Sequence, residues 1–283
     1  MQIKQALQLS EKLAAISDSP QLDMQYLLCH VLDKPESYLF TWPERELQPG
    51  EQESLEQLLQ RRLKGEPVAH IIGKRGFWSF ELEVSPHTLI PRPDTEVLVE
   101  KALELCSLPA ARVVDLGTGT GAVALALAKE NPGWEVFASD YVKEAAELAE
   151  RNRQRLHITN MQVLQGSWYE PHSGRFDMIV SNPPYIDPED PHLDQGDVRF
   201  EPLSALTAEN QGMADIELIA KQGRNFLNKN GVLAFEHGFD QGPICRNLLQ
   251  TLGYLEVGTQ RDYGQNERVT YGVWPHDGYA EES

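Results

Sequence analysis

The fold is decided by the stretch RVVDLGTGTGAVALALA, residues 112–128. Its first part, 112–116, is mostly β-branched and apolar, which is typical of a buried strand. Glycine and threonine then alternate through 117–121, and small or apolar residues follow as in a buried helix. A strand, a glycine loop and a helix in this order predict a parallel α/β sheet whose loop lets a ligand approach the backbone closely.

A carboxylate stands at the end of the next predicted strand. Residues 135–139 form this strand, and Asp140 follows 21 positions after Gly119. A carboxylate there can accept hydrogen bonds from both hydroxyls of a ribose. The loop reads Gly-x-Gly-x-Gly and lacks the third glycine position of the dinucleotide fingerprint, which favours a sulfonium nucleoside over NAD. A second interpretation, in which Asp140 only caps the next helix, stays open.

Four residues after a later strand, Asn182-Pro183-Pro184-Tyr185, combine an amide, a rigid backbone and an aromatic ring. The strand 176–181 must end there, because two prolines cannot continue a ladder. The Asn182 side-chain oxygen and a backbone carbonyl can each accept one N–H of a planar NH2 group, while Tyr185 covers its face. The alternative is a proline turn with a packed tyrosine.

Alternating strands and helices continue to about residue 252, and two closing strands predict an antiparallel hairpin at 254–274. In a doubly wound sheet the strands 112–116 and 176–181 lie side by side, so the glycine loop and the tetrapeptide are expected to face one crevice. Trp168 follows the strand 161–165, where it can pack against an adenine or serve only as a buried core residue.

The chain is expected to divide into four parts. Residues 1–72 show helical periodicity and predict a small helical bundle that docks a substrate. Near-strict alternation in 73–88 predicts a β-hairpin connector, 89–275 hold the α/β domain, and 276–283 form an acidic tail. Arg92 lies between two prolines, where it either closes over a ligand or pairs with an acid.

Four motifs together resemble one family. They read LIPRPDTE at 89–96, DLGTGTG at 115–121, SNPPYI at 181–186 and DVRFEP at 197–202. The sequence is similar to the class I S-adenosylmethionine-dependent methyltransferases. Within them it most resembles the HemK/PrmC family of protein-(glutamine-N5) methyltransferases, over nearly the whole chain. The resemblance implies a Rossmann-like, mostly parallel seven-stranded sheet with a small N-terminal helical domain.

The resemblance also implies an activity and a set of roles. The family transfers a methyl group from S-adenosyl-L-methionine to the glutamine of the Gly-Gly-Gln loop in class 1 peptide-chain release factors. Catalytic roles fall to Asn182, Pro183 and Tyr185, and substrate binding to these three and Pro184. The residues expected to contact the cofactor are Gly117, Thr118, Gly119, Thr120, Gly121, Asp140, Trp168, Asn182 and Arg92.

Composition narrows the class of partner. The formal net charge of −18 repels phosphate backbones, so we expect a basic protein surface as partner and no direct nucleic-acid contact. The polar loop 187–201 is expected to be a lid or docking surface that receives it. The three cysteines and eight histidines lack metal-ligand spacing, so no metal is expected. Without a leader-like or membrane-spanning run, we expect a cytoplasmic protein. We also expect it to be a monomer.

Two rival functions are kept. An exocyclic adenine NH2 is also planar and conjugated, so an N6-adenine DNA or RNA methyltransferase would use the same tetrapeptide. Such an enzyme needs a basic groove for the phosphates, which this acidic sequence does not indicate. The other rival keeps the fold and cofactor pocket but scaffolds another protein without turnover.

Overall fold

The computed structural model describes residues 1–276, so the predicted acidic tail lies outside the described residues from position 277 onward. The chain forms two compact units. The first comprises Met1–Lys74 together with Pro191–Phe200, and the second comprises Arg75–Asp190 and the chain from Glu201. None of the described helices is long and apolar enough to cross a membrane.

The first unit is helical, as predicted. Its helices are α1 (Ile3–Gln8), α2 (Pro20–Leu32), α3 (Glu36–Thr41), α4 (Pro49–Leu63) and α5 (Val68–Ile72). The apolar positions that recur at helical spacing form one buried cluster, which includes Leu27, Leu28 and Leu55. The first helical run does not stay α-helical, because after α1 the chain tightens into a 3-10 helix, Leu9–Leu13.

A buried ion pair joins separate parts of the first unit. Arg62 of α4 is buried and donates from Nε to Asp23 Oδ2 of α2 at 2.7 Å. It donates from Nη1 to Asp197 Oδ1 at 3.0 Å, which ties the segment 191–200 to the helices. The sequence predicts this segment only as part of a lid or docking surface, and this contact with the helices was not predicted.

Asp23→Ala is expected to destabilise the first unit by about 3 kcal/mol, because it leaves the buried Arg62 guanidinium without its closest carboxylate. Urea denaturation followed by circular dichroism measures this change. The matched control is Glu44→Ala, which breaks the exposed Lys4–Glu44 pair and is expected to leave the midpoint unchanged. Equal midpoints for the two variants would contradict a structural role for the buried pair.

The second unit carries a two-stranded hairpin and a seven-stranded sheet. The hairpin is formed by β1 (Lys74–Phe77) and β2 (Phe80–Glu83), as predicted within 73–88. The other strands are β3 (Arg112–Leu116), β4 (Glu135–Asp140), β5 (Met161–Gln165), β6 (Phe176–Ser181), β7 (Leu227–Glu236), β8 (Leu255–Arg261) and β9 (Glu267–Trp274). The helices are α6 (Glu96–Leu105), α7 (Ala122–Glu130), α8 (Lys143–Arg155), α9 (Ala214–Phe226) and α10 (Gly242–Thr251).

The sheet has the order β5-β4-β3-β6-β7-β9-β8. Its first five strands run parallel, and β9 pairs antiparallel with both β7 and β8. Successive side chains of a strand point to opposite faces. Val113 accordingly packs in a cluster with α6 and α7, while Val114 packs in a second cluster with α9 and α10. This mostly parallel sheet is the predicted Rossmann-like architecture.

The neighbouring positions of β3 and β6 place two motifs at one edge of the sheet. Leu116, the last residue of β3, pairs with Ser181, the last residue of β6. The Ser181 hydroxyl donates to the Leu116 carbonyl at 2.7 Å and fixes this register at the strand ends. The glycine loop and Asn182 follow directly, so the expectation that the two strands lie side by side is confirmed.

Candidate active site

A cavity of about 350 Å³ opens at the carboxyl ends of β3, β4 and β6. Its walls come from the glycine loop, the segment 87–95, the ends of β4 and β6, and residues after 203. The predicted residues that line it are Gly117, Thr118, Gly119, Thr120, Asp140, Trp168, Asn182 and Pro184. Lining residues that sequence reasoning did not single out include Thr88, Thr95, Asp115, Ser204, Ala205 and Asp215.

The glycine loop is shaped by backbone conformations that only glycine adopts easily. Gly117 and Gly119 have φ values of 72° and 55°. A Cβ atom at position 117 would lie 3.1 Å from Cζ3 of the Trp168 ring, so the missing side chain lets this indole close over the loop. Gly121, also at positive φ, precedes α7 and packs against Ala149 of α8. At Gly117 and Gly119 the loop therefore presents backbone without side chains to the cavity.

Asp140 holds the loop and faces the cavity at the same time. Its Oδ2 accepts the Gly119 backbone N–H at 2.8 Å, and its Oδ1 accepts the N–H of Val142 at 2.9 Å. Burial raises the pKa of this carboxyl, and the two backbone hydrogen bonds oppose that shift. Each oxygen keeps a second lone pair that can accept a ligand hydroxyl. Asp140 thus positions the backbone before α8 without losing its capacity to bind.

Asp115, the last but one residue of β3, holds the glycine loop and the start of α7 by hydrogen bonds. It is buried, and its Oδ2 accepts the Thr118 hydroxyl at 2.6 Å and the Ala124 backbone N–H at 3.3 Å. Burial raises its pKa to about 7. The motif DLGTGTG contained this residue, but only the contacts reveal what it holds.

The Asn182 side chain has one occupied end and one free end. Its Nδ2 donates to Thr95 Oγ1 at 3.2 Å. Its Oδ1 is buried without a hydrogen-bond partner among the described residues. A buried acceptor without a donor costs free energy unless a ligand supplies one. Asn182 is therefore prepared to accept an N–H.

The other residues of the tetrapeptide behave differently. Pro184 lines the cavity, and Pro183 is buried beside it. The half-buried ring of Tyr185 packs against the core cluster of α9 and α10. Its hydroxyl donates to Glu236 Oε1 at 3.1 Å, and burial followed by the Glu236 charge raises its pKa. That the ring covers a substrate amide stays a prediction.

Arg92 is paired with an acid in this structure. Its Nη2 lies 2.9 Å and 2.8 Å from the two carboxylate oxygens of Glu201, whose side chain is fully buried. Glu201 Oε1 also accepts the Ile90 backbone N–H at 3.1 Å. The pair joins the motif LIPRPDTE to Glu201 of the motif DVRFEP, 109 positions later in the sequence. Of the two interpretations of Arg92, the structure has the ion pair with an acid. Direct contact of Arg92 with the cofactor remains a prediction.

Sequence reasoning missed Glu236, the last residue of β7. It is buried, and burial raises its pKa to about 7, while the nearby Thr95 side chain, the charge of Arg268 and the Tyr185 hydrogen bond oppose that rise. A carboxylate at the carboxyl end of a parallel strand was the available signal. Within residues 1–276, no group of three or more His, Cys, Asp and Glu side chains is arranged to hold a metal ion.

Comparison with known proteins agrees with this fold. The model of the methyltransferase small domain matches residues 93–197. Similar solved structures include a methyltransferase from Pyrococcus furiosus, at 18% identity and a TM-score of 0.55 over 78% of this chain and all of that one. The hMettl16 catalytic domain in complex with an RNA hairpin has a TM-score of 0.57 at 16% identity, over 71% of this chain and 75% of that one. The fold is that of a class I S-adenosylmethionine-dependent methyltransferase.

Closer relatives define the family. The PrmC N-terminal domain model matches residues 5–73. Curated release factor glutamine methyltransferases are 54% identical in Aliivibrio fischeri, over 92% of this chain and 93% of that protein, and 55% identical in Vibrio cholerae, over 91% of each. The relative from Escherichia coli is 52% identical over 90% of this chain and 93% of its own. The chain belongs to the family of release factor glutamine methyltransferases, the HemK/PrmC family that its motifs resemble.

Proposed function

We propose that this enzyme transfers the methyl group of S-adenosyl-L-methionine to the side-chain amide nitrogen, N5, of a glutamine in a release factor. The acceptor is the glutamine of the Gly-Gly-Gln loop in class 1 factors. The observation that carries the proposal is that Asn182 lines the cavity and that its buried Oδ1 lacks a donor among the described residues. The identity of the substrate protein rests on the names of the curated relatives.

The cavity suits the cofactor. Its volume of about 350 Å³ lies within the usual range for small-molecule sites, roughly 300–1,000 Å³. Asp140 offers two oxygens to the ribose hydroxyls, Gly117 and Gly119 offer backbone without side chains, and the indole of Trp168 offers a face to the adenine. When bound, the sulfonium of the cofactor supplies an electrophilic methyl group.

The protein's contribution is positioning. An amide nitrogen is a poor nucleophile because its lone pair is delocalised into the carbonyl. Asn182 Oδ1 accepts one of its N–H groups and the Pro183 carbonyl accepts the other, so the amide plane is held in one orientation. Two acceptors also reject a glutamate side chain, whose carboxylate has no proton to donate. The extra proton leaves after methyl transfer, when the nitrogen is more acidic, so this scheme uses no general base.

An adenine substrate would use the same hydrogen-bond acceptors, but it would need a different surface charge on the enzyme. An exocyclic NH2 of adenine can donate to Asn182 Oδ1 in the same way. A nucleic acid also brings phosphates, which a protein of net charge −18 repels, whereas a basic protein surface is attracted. The charge and the relatives both favour the release factor.

The test is transfer of labelled methyl from S-adenosylmethionine to a purified class 1 release factor. The matched controls are the factor with its loop glutamine changed to asparagine and an adenine-containing oligonucleotide. We expect label on the wild-type factor alone. Label on the oligonucleotide instead would replace the proposed substrate, and cofactor binding without any S-adenosylhomocysteine produced would favour the scaffold.

Two further expectations accompany this function. Release factors act on ribosomes, so we place the enzyme in the cytoplasm. The monomeric state remains a prediction, which light scattering of the purified protein checks.

A further inference from the structure

The side-chain amide of Asn182 can bind in two orientations that are opposite in polarity. With Oδ1 toward the cavity it accepts an N–H, and with Nδ2 toward the cavity it would repel the substrate amide. In the structure Nδ2 donates to Thr95 Oγ1 at 3.2 Å, which leaves Oδ1 of this cavity-lining residue as the unused acceptor. Rotating the amide group of Asn by 180° exchanges its acceptor oxygen and its donor nitrogen, so a neighbouring residue must select one of the two orientations.

Thr95 can select only if its own proton is used elsewhere. A hydroxyl has one proton to donate and two lone pairs to accept. The Thr95 side chain lies near enough to the carboxyl of Glu236 to lower the pKa of that carboxyl, and Glu236 Oε2 is a buried acceptor without a hydrogen-bond partner among the described residues. With its proton directed to a carboxylate, the hydroxyl presents a lone pair to Asn182. It then accepts from Nδ2 and leaves Oδ1 for the cavity.

Glu236 is itself held in place. Its side chain is buried at the end of β7, and Oε1 accepts the Tyr185 hydroxyl at 3.1 Å. Oε2 has no hydrogen-bond partner among the described residues, so it is available to accept the Thr95 proton when that hydroxyl rotates toward it. The first and last residues of the tetrapeptide, Asn182 and Tyr185, are thus connected through one carboxylate beneath the cavity wall.

We infer that Thr95 and Glu236 are positioning residues, which orient the Asn182 amide with its oxygen toward the substrate. The inference rests on the proposed function. Glu236 directs the Thr95 proton, Thr95 accepts from Asn182, and Asn182 accepts from the substrate. Glu236 therefore selects an amide over a carboxylate at the acceptor site without touching it.

The first test compares Thr95→Val with Thr95→Ser. Valine has nearly the volume of threonine but removes the hydroxyl, whereas serine keeps it. We expect Thr95→Val to lower kcat for methylation of the release factor by about tenfold to a hundredfold, because the acceptor is misoriented. Thr95→Ser is expected to restore most of the rate. Thermal denaturation is expected to show that both variants fold, and calorimetry is expected to show a loss of cofactor affinity in Thr95→Val that is much smaller than its loss in kcat.

The second test uses Glu236→Gln, which replaces an acceptor with an amide that can donate to Thr95. The Thr95 hydroxyl then donates to Asn182 instead, and the Asn182 amide flips so that its Oδ1 accepts from Thr95. We expect a loss of kcat similar to that of Thr95→Val. We also expect a change in discrimination, measured with a release factor whose loop glutamine is replaced by glutamate. This factor should inhibit the wild-type enzyme weakly and the Glu236→Gln enzyme more strongly.

A pH profile separates this role from simple packing. The groups around Glu236 are Tyr185, Thr95, Arg268 and Asp94, and burial raises its pKa to about 7. The carboxylate accepts the Thr95 proton only above this pKa, so kcat is expected to fall as the pH drops through 7. Asp115, with a pKa also near 7, contributes to the same slope. In Glu236→Gln, only the part of the pH dependence of kcat that is due to Asp115 should remain.

The outcomes are distinguishable. If the wild-type enzyme does not label the release factor, the proposed function fails. If it does, but Thr95→Val turns over as fast as Thr95→Ser, the inference is overturned. Unchanged discrimination between the glutamine and glutamate factors in a folded Glu236→Gln enzyme would overturn it as well. If Glu236→Gln does not fold, the comparison of Thr95→Val with Thr95→Ser still tests the inference.

Discussion

Asn182→Ala is expected to lower kcat for methylation of the release factor by about 1,000-fold. The reacting nitrogen is a weak nucleophile, so its orientation supplies much of the rate, and alanine removes the side-chain acceptor that holds it. Losing one preorganised hydrogen bond at a reacting centre typically costs a hundredfold to a thousandfold in rate, and we expect the upper end of about 1,000. Single-turnover methylation at saturating cofactor measures this step without product release.

The control for this prediction is the same change outside the cavity. Asn225 is an exposed residue of α9, and Asn225→Ala is expected to keep the wild-type rate. Cofactor affinity should change less than the rate in Asn182→Ala, because Asp140 and the glycine loop are untouched. Near-normal single-turnover methylation by Asn182→Ala would refute the arrangement of two acceptors.

Asp140→Ala is expected to weaken S-adenosylmethionine binding by about a hundredfold. Hydrogen bonds to a charged acceptor contribute about 1.5–3 kcal/mol each, and a factor of one hundred corresponds to about 2.7 kcal/mol. The substitution also releases the backbone N–H groups of Gly119 and Val142, so the loop loses its anchor. Isothermal titration calorimetry with the cofactor measures the affinity.

Two comparisons sharpen this result. Asp140→Asn keeps one acceptor oxygen and is expected to lose about tenfold in affinity, roughly one hydrogen bond. Glu144→Ala, an exposed change in the first turn of α8, should bind like wild type. At saturating cofactor, Asp140→Ala should recover much of its kcat, unlike Asn182→Ala. An unchanged affinity in Asp140→Ala would mean that the ribose hydroxyls bind elsewhere.

The strands and loops at the cavity could be predicted from the sequence because local chain properties determine them. The β-branched run 112–116 matches β3, and β6 ends at Ser181 because Pro183 and Pro184 cannot continue it. Glycine at 117 and 119 permits the positive φ values that the loop requires. Each of these features depends on a residue and its near neighbours. The family resemblance rests on the same motifs.

The partners of the side chains were decided only by the tertiary structure. Asn182 bonds to Thr95, which is 87 positions away, and Arg92 pairs with Glu201 at a separation of 109. The interpretation of Arg92 stayed open for this reason. A motif shows that a residue is polar and lies at a strand end, but its partner depends on how several packed elements bring distant backbone together. Glu236 became part of the site only when β7 placed its carboxylate beneath Tyr185.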